Sequence, residues 1–235
     1  GGDGEDIILG SKGNDTIRVH NFKGDDTVEI IDGGGASEDG GMDVLAGTAQ
    51  SDTIDLTGTQ LKNIHEIQLG DGADTLRLHE RKFDDTLDKI DGGTGEDTIK
   101  GISDDSIFEI GDAGRDLDLH DMAISNVEKY ETGDDDDTLN LENAIIEGDI
   151  TFIDTKEKDD VLNLANVSAD NSTIGEILAG DGNNTIDLTG LSALSIDKIK
   201  GGSGDDTLTL KDIAVQSINT VSLGDGMNTI TSDNV

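Results

Sequence analysis

The chain has 235 residues, with 53 acidic against 16 basic side chains for a formal charge of −37, and it contains 32 glycines but no proline, cysteine or tryptophan. So acidic a polymer repels nucleic acid, which argues against a DNA or RNA partner, and without cysteine there is neither a disulfide nor a thiolate metal site. High charge and few aromatics would ordinarily signal disorder, but the regular apolar spacing described below points to a fold whose carboxylates require cations.

The chain opens inside a motif, Gly1-Gly2-Asp3-Gly4-Glu5-Asp6, with no initiating Met, signal peptide or apolar run long enough to cross a membrane. It therefore reads as an excised fragment, with no membrane insertion of its own. Gly1 to Leu9 and Gly10 to Arg18 are consecutive nine-residue units ending their turns at Asp6 and Asp15. Two such units make one 18-residue coil with a metal-type turn on both edges. Residues 19–51 are less regular, and Gly33-Gly34-Gly35 through Gly40-Gly41 reads as an inserted loop. The expected organisation is residues 1–51 as N-terminal nonapeptide-type coils with that loop, and 52–235 as an elongated β-solenoid of roughly 22-residue coils.

From residue 52 onward a glycine-rich turn recurs, and the last residue of each turn is here termed its corner. The corners are Asp52, Asp74, Asp97, Arg115, Asp137, Asp160, Asn184, Asp206 and Asn228. Two residues past them stand Ile54, Leu76, Ile99, Leu117, Leu139, Leu162, Ile186, Leu208 and Ile230, apolar without exception. Four past come Leu56, Leu78, Gly101, Leu119, Leu141, Leu164, Leu188, Leu210 and Ser232. Spacing by two places both columns on one face of a strand. Seven before the corners from Asp74 onward are Ile67, Ile90, Phe108, Tyr130, Ile153, Ile177, Ile199 and Val221. Ten before are Ile64, Leu87, Asp105, Val127, Ile150, Ile174, Ile196 and Ile218. Stacked in register, these columns predict an all-β fold, a parallel β-helix with a narrow apolar core; helical three-to-four spacing is absent.

The turns carry the candidate chemistry. Calcium takes six to eight oxygens and accepts backbone carbonyls as readily as carboxylates. Glycines let turn carbonyls point inward at positive φ, and the corner Asp adds charge. Zinc fits poorly, with four His and no Cys. The candidate calcium ligands and turn glycines are Gly2, Gly4, Asp6, Gly13, Asp15, Gly70, Asp71, Gly72, Asp74, Gly93, Gly95, Asp97, Gly133, Asp135, Asp137, Gly180, Asp181, Gly182, Asn184, Gly202, Gly204, Asp206, Gly224, Asp225, Gly226 and Asn228. No HExxH, G-x-S-x-G or P-loop pattern occurs, so no enzyme is expected.

Gly1 to Leu9, Gly92 to Lys100 and Gly201 to Thr209 match G-G-x-G-x-D-x-U-x in full, and Gly10 to Arg18 lacks only the second glycine. The chain thus resembles the RTX family of haemolysin-type calcium-binding repeats. That resemblance implies a right-handed β-roll, several calcium ions held by turn carbonyls and the sixth-position Asp, type I secretion, and folding outside the cell. The 22-residue coils and the segments Asn63-Ile64-His65-Glu66-Ile67 and Asn126-Val127-Glu128-Lys129-Tyr130 look most like RTX segments of bacterial surface-layer proteins and large adhesins. Arg115 puts a cation where Asp belongs, which predicts a vacant site. The turn Thr155-Lys156-Glu157-Lys158-Asp159-Asp160 has no glycine and carries two Lys, which counts against its occupancy, and Asn184 and Asn228 offer neutral oxygens that weaken binding rather than abolish it.

Three functional expectations follow. The first is a structural segment of a surface-layer protein at the bacterial cell surface, self-associating into an array, with cell-surface polysaccharide a partner for other parts of the parent protein. The second is a stalk or ligand-binding segment of an RTX adhesin. The third is the non-catalytic secretion module of an RTX toxin or enzyme.

Overall fold

The computed structural model describes residues 6–22, 28–34, 41–78, 86–100 and 116–234. Among them every regular element is a β-strand and every pairing between strands is parallel, so the chain is a parallel β-solenoid. Two compact units are present: residues 1–100 with 122–127, and residues 101–121 with 128–235.

In the first unit Thr53–Asp55, Thr75–Arg77 and Thr98–Lys100 stack in register, which places Ile54 on Leu76 and Leu76 on Ile99. A second ladder runs through Thr16–Arg18, Val44–Ala46, Glu66–Asp71, Lys89–Thr94 and Ala123–Ser125, stacking Ile17, Leu45, Ile67, Ile90 and Ile124. A third joins Ile7–Leu9, Ile30–Asp32 and Gln60–Lys62 through Ile8, Ile31 and Leu61. The nine-residue units at the N-terminus therefore stack on later rungs: the backbone N–H of Asp15 meets Asp43, 28 residues on. Residues 35–40 of the expected inserted loop lie within that step and outside the described residues.

The second unit repeats the scheme. Asp116–Asp118, Thr138–Asn140, Val161–Asn163, Thr185–Asp187, Thr207–Lys211 and Thr229–Asp233 form one ladder, stacking Leu117, Leu139, Leu162, Ile186, Leu208 and Ile230. Opposite it Lys129–Glu131, Ile150–Asp154, Ser168–Leu178, Ser192–Lys200 and Ala214–Ser222 align Tyr130, Ile153, Ile177, Ile199 and Val221, and also Ile150, Ile174, Ile196 and Ile218. The apolar columns expected from spacing are thus stacked rungs of the core within each unit. Ile177 and Ile199 are fully buried, whereas in the final coil Ile230 and Val221 are exposed. Phe108, Asp105 and Gly101 lie outside the described residues.

Two features complete the coil. Six residues past the corner the backbone turns left-handed at Asp121, Asn143, Asn166, Gly190, Asp212 and Asn234. Asn and Asp tolerate that conformation because their short polar side chains bond locally. Here the amides also stitch neighbouring coils: Asn166 Nδ2 donates to Asn143 Oδ1 at 3.2 Å, and Asn143 Nδ2 to Asp121 Oδ1 at 2.9 Å. Nine past the corner, Leu61, Ile124, Ile146, Ala169 and Ala193 are buried, and in the second unit Ala169 stacks on Ala193.

Candidate metal-binding corners

Strand pairing brings successive corners into a buried ladder. Each corner's backbone N–H donates to the side-chain Oδ1 of the corner one coil on: Asp52 to Asp74 at 2.6 Å, and Asp74 to Asp97 at 2.7 Å. In the second unit the run is Asp137 to Asp160 at 2.8 Å, Asp160 to Asn184 at 3.0 Å, Asn184 to Asp206 at 3.0 Å and Asp206 to Asn228 at 2.8 Å. This explains why carboxylates sit inside a solenoid at all. One oxygen of each satisfies a backbone donor that the turn leaves over.

The second oxygen divides the corners into three kinds. At Asp15, Asp52 and Asp137 it has donors from its own turn. Thr48 gives both N–H and hydroxyl to Asp52 Oδ2, each at 2.8 Å. Ser11 does the same for Asp15 at 2.6 and 3.1 Å, and Gly133 N–H meets Asp137 Oδ2 at 2.6 Å.

At Asp74, Asp160 and Asp206 the second oxygen, Oδ2, is buried and has no hydrogen-bond partner, and each residue is only 1% exposed. The cause is backbone conformation four and two residues before the corner. Gly70 and Gly72, Gly202 and Gly204, and also Lys156 and Lys158, all have positive φ. In these turns no N–H from the position four before the corner reaches the carboxylate, as it does at Asp52. Gly93 and Gly95 before Asp97 share the conformation. The glycine-free turn at 155–160 therefore adopts the glycine shape in spite of its sequence. Lys156 is held there by Asp154, which accepts from both its N–H at 3.0 Å and its Nζ at 2.7 Å.

At Asn184 and Asn228 the second arm is an amide nitrogen. Asn184 Nδ2 donates to the carbonyls of Gly180 at 3.1 Å and Gly182 at 3.4 Å, and Asn228 Nδ2 to that of Gly224 at 3.2 Å. The flanking Gly180, Gly182, Gly224 and Gly226 are again left-handed.

Electrostatics follow these partners. Burial drives the Asp74 carboxyl above the usual carboxylate range, does the same at Asp206 against the Asn184 N–H and amide, and takes Asp160 up to about 7 against the Asp137 N–H and the nearby Thr155 hydroxyl. Burial also acts to raise Asp52, but the Thr48 hydroxyl and N–H, the Asn21 N–H and the His20 ring outweigh it and hold that carboxyl low.

Among the described residues no three acidic or histidine side chains converge as a metal cluster. A cation at these corners would draw most of its ligands from turn carbonyls, which suits a hard, oxygen-seeking ion. The remaining acids of the turns face outward and stitch coils. Asp71 Oδ1 accepts from the Thr94 hydroxyl at 2.8 Å, and Asp181 Oδ1 from Ser203 N–H at 2.9 Å. The Asp225 N–H bonds Gly202 O at 3.1 Å. Asp135 is exposed, Gly13 has positive φ two before Asp15, and Asp6 N–H donates to Glu29 at 2.6 Å. Gly2, Gly4 and the turn ending at Arg115 lie outside the described residues. Spacing alone did not reveal the hydroxyl donors Ser11 and Thr48, which occupy the place of a turn glycine.

Comparison of the chain with known protein families, with curated proteins and with solved structures finds no match.

Proposed function

We propose that this chain is a calcium-dependent structural segment of a secreted bacterial surface-layer protein, folding and assembling as its corners take up calcium. The observation that supports it is the buried, donor-less Oδ2 of Asp74, Asp160 and Asp206. An unpaired anionic oxygen in a dry interior is costly, and it is relieved by a proton or a cation. The residues fit calcium: Gly70, Gly72 and Asp74 would hold one ion, Lys156, Lys158 and Asp160 another, and Gly202, Gly204 and Asp206 a third, all through oxygen. Asp97 with Gly93 and Gly95 offers the same set. The ion would neutralise the corner and tie adjacent coils, so binding and stacking become one equilibrium. The surface-layer assignment rests on the resemblance of the turns and coil length to such proteins.

The test is a calcium titration of metal-stripped protein, followed by far-ultraviolet circular dichroism and electron microscopy. The reading expects gain of β structure and ordered assembly on calcium addition. Identical spectra with and without calcium, together with no calorimetric uptake, would overturn it.

A further inference from the structure

We propose that Asn184 and Asn228 are built-in substitutes for a cation, so that their corners take no ion while Asp206 between them does; this rests on the calcium reading of the Asp corners. Both kinds of corner are left-handed at the same two positions: Gly180 and Gly182 stand at φ 79° and 138°, Gly202 and Gly204 at 120° and 127°. Strands Thr185–Asp187 and Thr207–Lys211 pair residue for residue. Both corners use Oδ1 identically, accepting the backbone N–H of the preceding corner.

Only the second arm differs. Asn184 brings two N–H donors, and these reach the carbonyls of Gly180 and Gly182. Asp206 brings only acceptors on its side chain, and its Oδ2 has no hydrogen-bond partner. An amide nitrogen does for Asn184 what a positive ion does for Asp206: it brings positive charge to inward carbonyls. Asn228 repeats the arrangement through Gly224.

The last four corners of the second unit, Asp160, Asn184, Asp206 and Asn228, alternate in charge and give the substitution a purpose. Adjacent rungs are about 4.8 Å apart. Alternating neutral and charged corners therefore doubles the separation of buried carboxylates to roughly 10 Å. This lowers their mutual repulsion before any ion binds.

The test is a reciprocal pair of variants, Asn184→Asp and Asp206→Asn, compared with the parent chain. Bound calcium is counted by native mass spectrometry, and thermal midpoints are read by circular dichroism in chelator and in calcium. Asp206→Asn is expected to bind one ion fewer and to raise the midpoint in chelator by on the order of 5 °C. Asn184→Asp is expected to lower the midpoint in chelator, recover it in calcium and bind one ion more. An unchanged ion count in a folded Asn184→Asp, or a lowered chelator midpoint in Asp206→Asn, overturns the proposal. Should Asn184→Asp fail to fold even in calcium, Asp206→Asn decides alone. A parent chain that binds no calcium refutes the reading beneath, whereas an unchanged count in variants of a calcium-binding parent refutes only this inference.

Discussion

Metal-stripped protein should lose stability as pH rises from 5 to 8, the reverse of ordinary acid unfolding. The group responsible is Asp160, 1% exposed, whose carboxyl is raised from an ordinary 3.8 to about 7, mainly by burial. The folded state then holds a proton at Asp160 more tightly than the unfolded chain does. The resulting stability is complete below about pH 4 and is lost as pH climbs through about 7. Between pH 5 and 8 about two pH units of that difference are lost, which amounts to on the order of 3 kcal/mol. For a chain of this length that corresponds to roughly 5–10 °C in thermal midpoint. Asp74 and Asp206 shift in the same direction and add to the trend. Carboxyls held low, such as Asp52 and Asp91, oppose it only as pH falls towards their own range, below the window. Circular dichroism melts of stripped protein at half-unit pH steps measure the effect, and Asp160→Asn should reduce it to the share of Asp74 and Asp206. Saturating calcium should flatten it, because the ion replaces the proton. A stripped-protein midpoint that stays level or rises between pH 5 and 8 would refute the reasoning.

Three further substitutions probe the scaffold. Gly202→Ala places a side chain at φ 120° with its Cβ against the carbonyl of Gly180, and should cost about 1–3 kcal/mol in urea unfolding. Lys158→Gly relieves a left-handed lysine at φ 87° on an exposed turn, and should gain about 1 kcal/mol by the same measurement. Ile177→Ala opens a cavity between Ile153 and Ile199 in the buried column, and should cost about 2–5 kcal/mol.

Most of the core was legible because a solenoid writes the same geometry once per coil. The columns through Ile153, Ile177 and Ile199, and through Leu139, Leu162 and Ile186, are paired residue for residue. A third column, Ile146, Ala169 and Ala193, recurs nine past the corner. Its small alanines in a polar stretch hid it from a search for large apolar residues. The left-handed positions at Asn143 and Asn166 were equally regular, but Asn in a polar run resembles any surface loop. Lys156 and Lys158 at positive φ carry no local signal, since lysine has no preference for that conformation. There the neighbouring coils dictate the turn: the carbonyl of Lys156 stacks on Gly180 and that of Lys158 on Gly182. The three kinds of corner escaped the motif because it scores the corner and the glycines separately. What matters is the pair: Thr48 with Asp52 makes a closed set of hydrogen bonds, while Gly202 with Asp206 leaves an oxygen over.

Crystals grown in calcium and measured for anomalous scattering address the central claim at atomic level. Peaks are expected beside the carboxylates of Asp74, Asp160 and Asp206, on the side of Oδ2, and none beside the amides of Asn184 and Asn228. Density without an anomalous peak at all three carboxylates, in an otherwise intact solenoid, would contradict it.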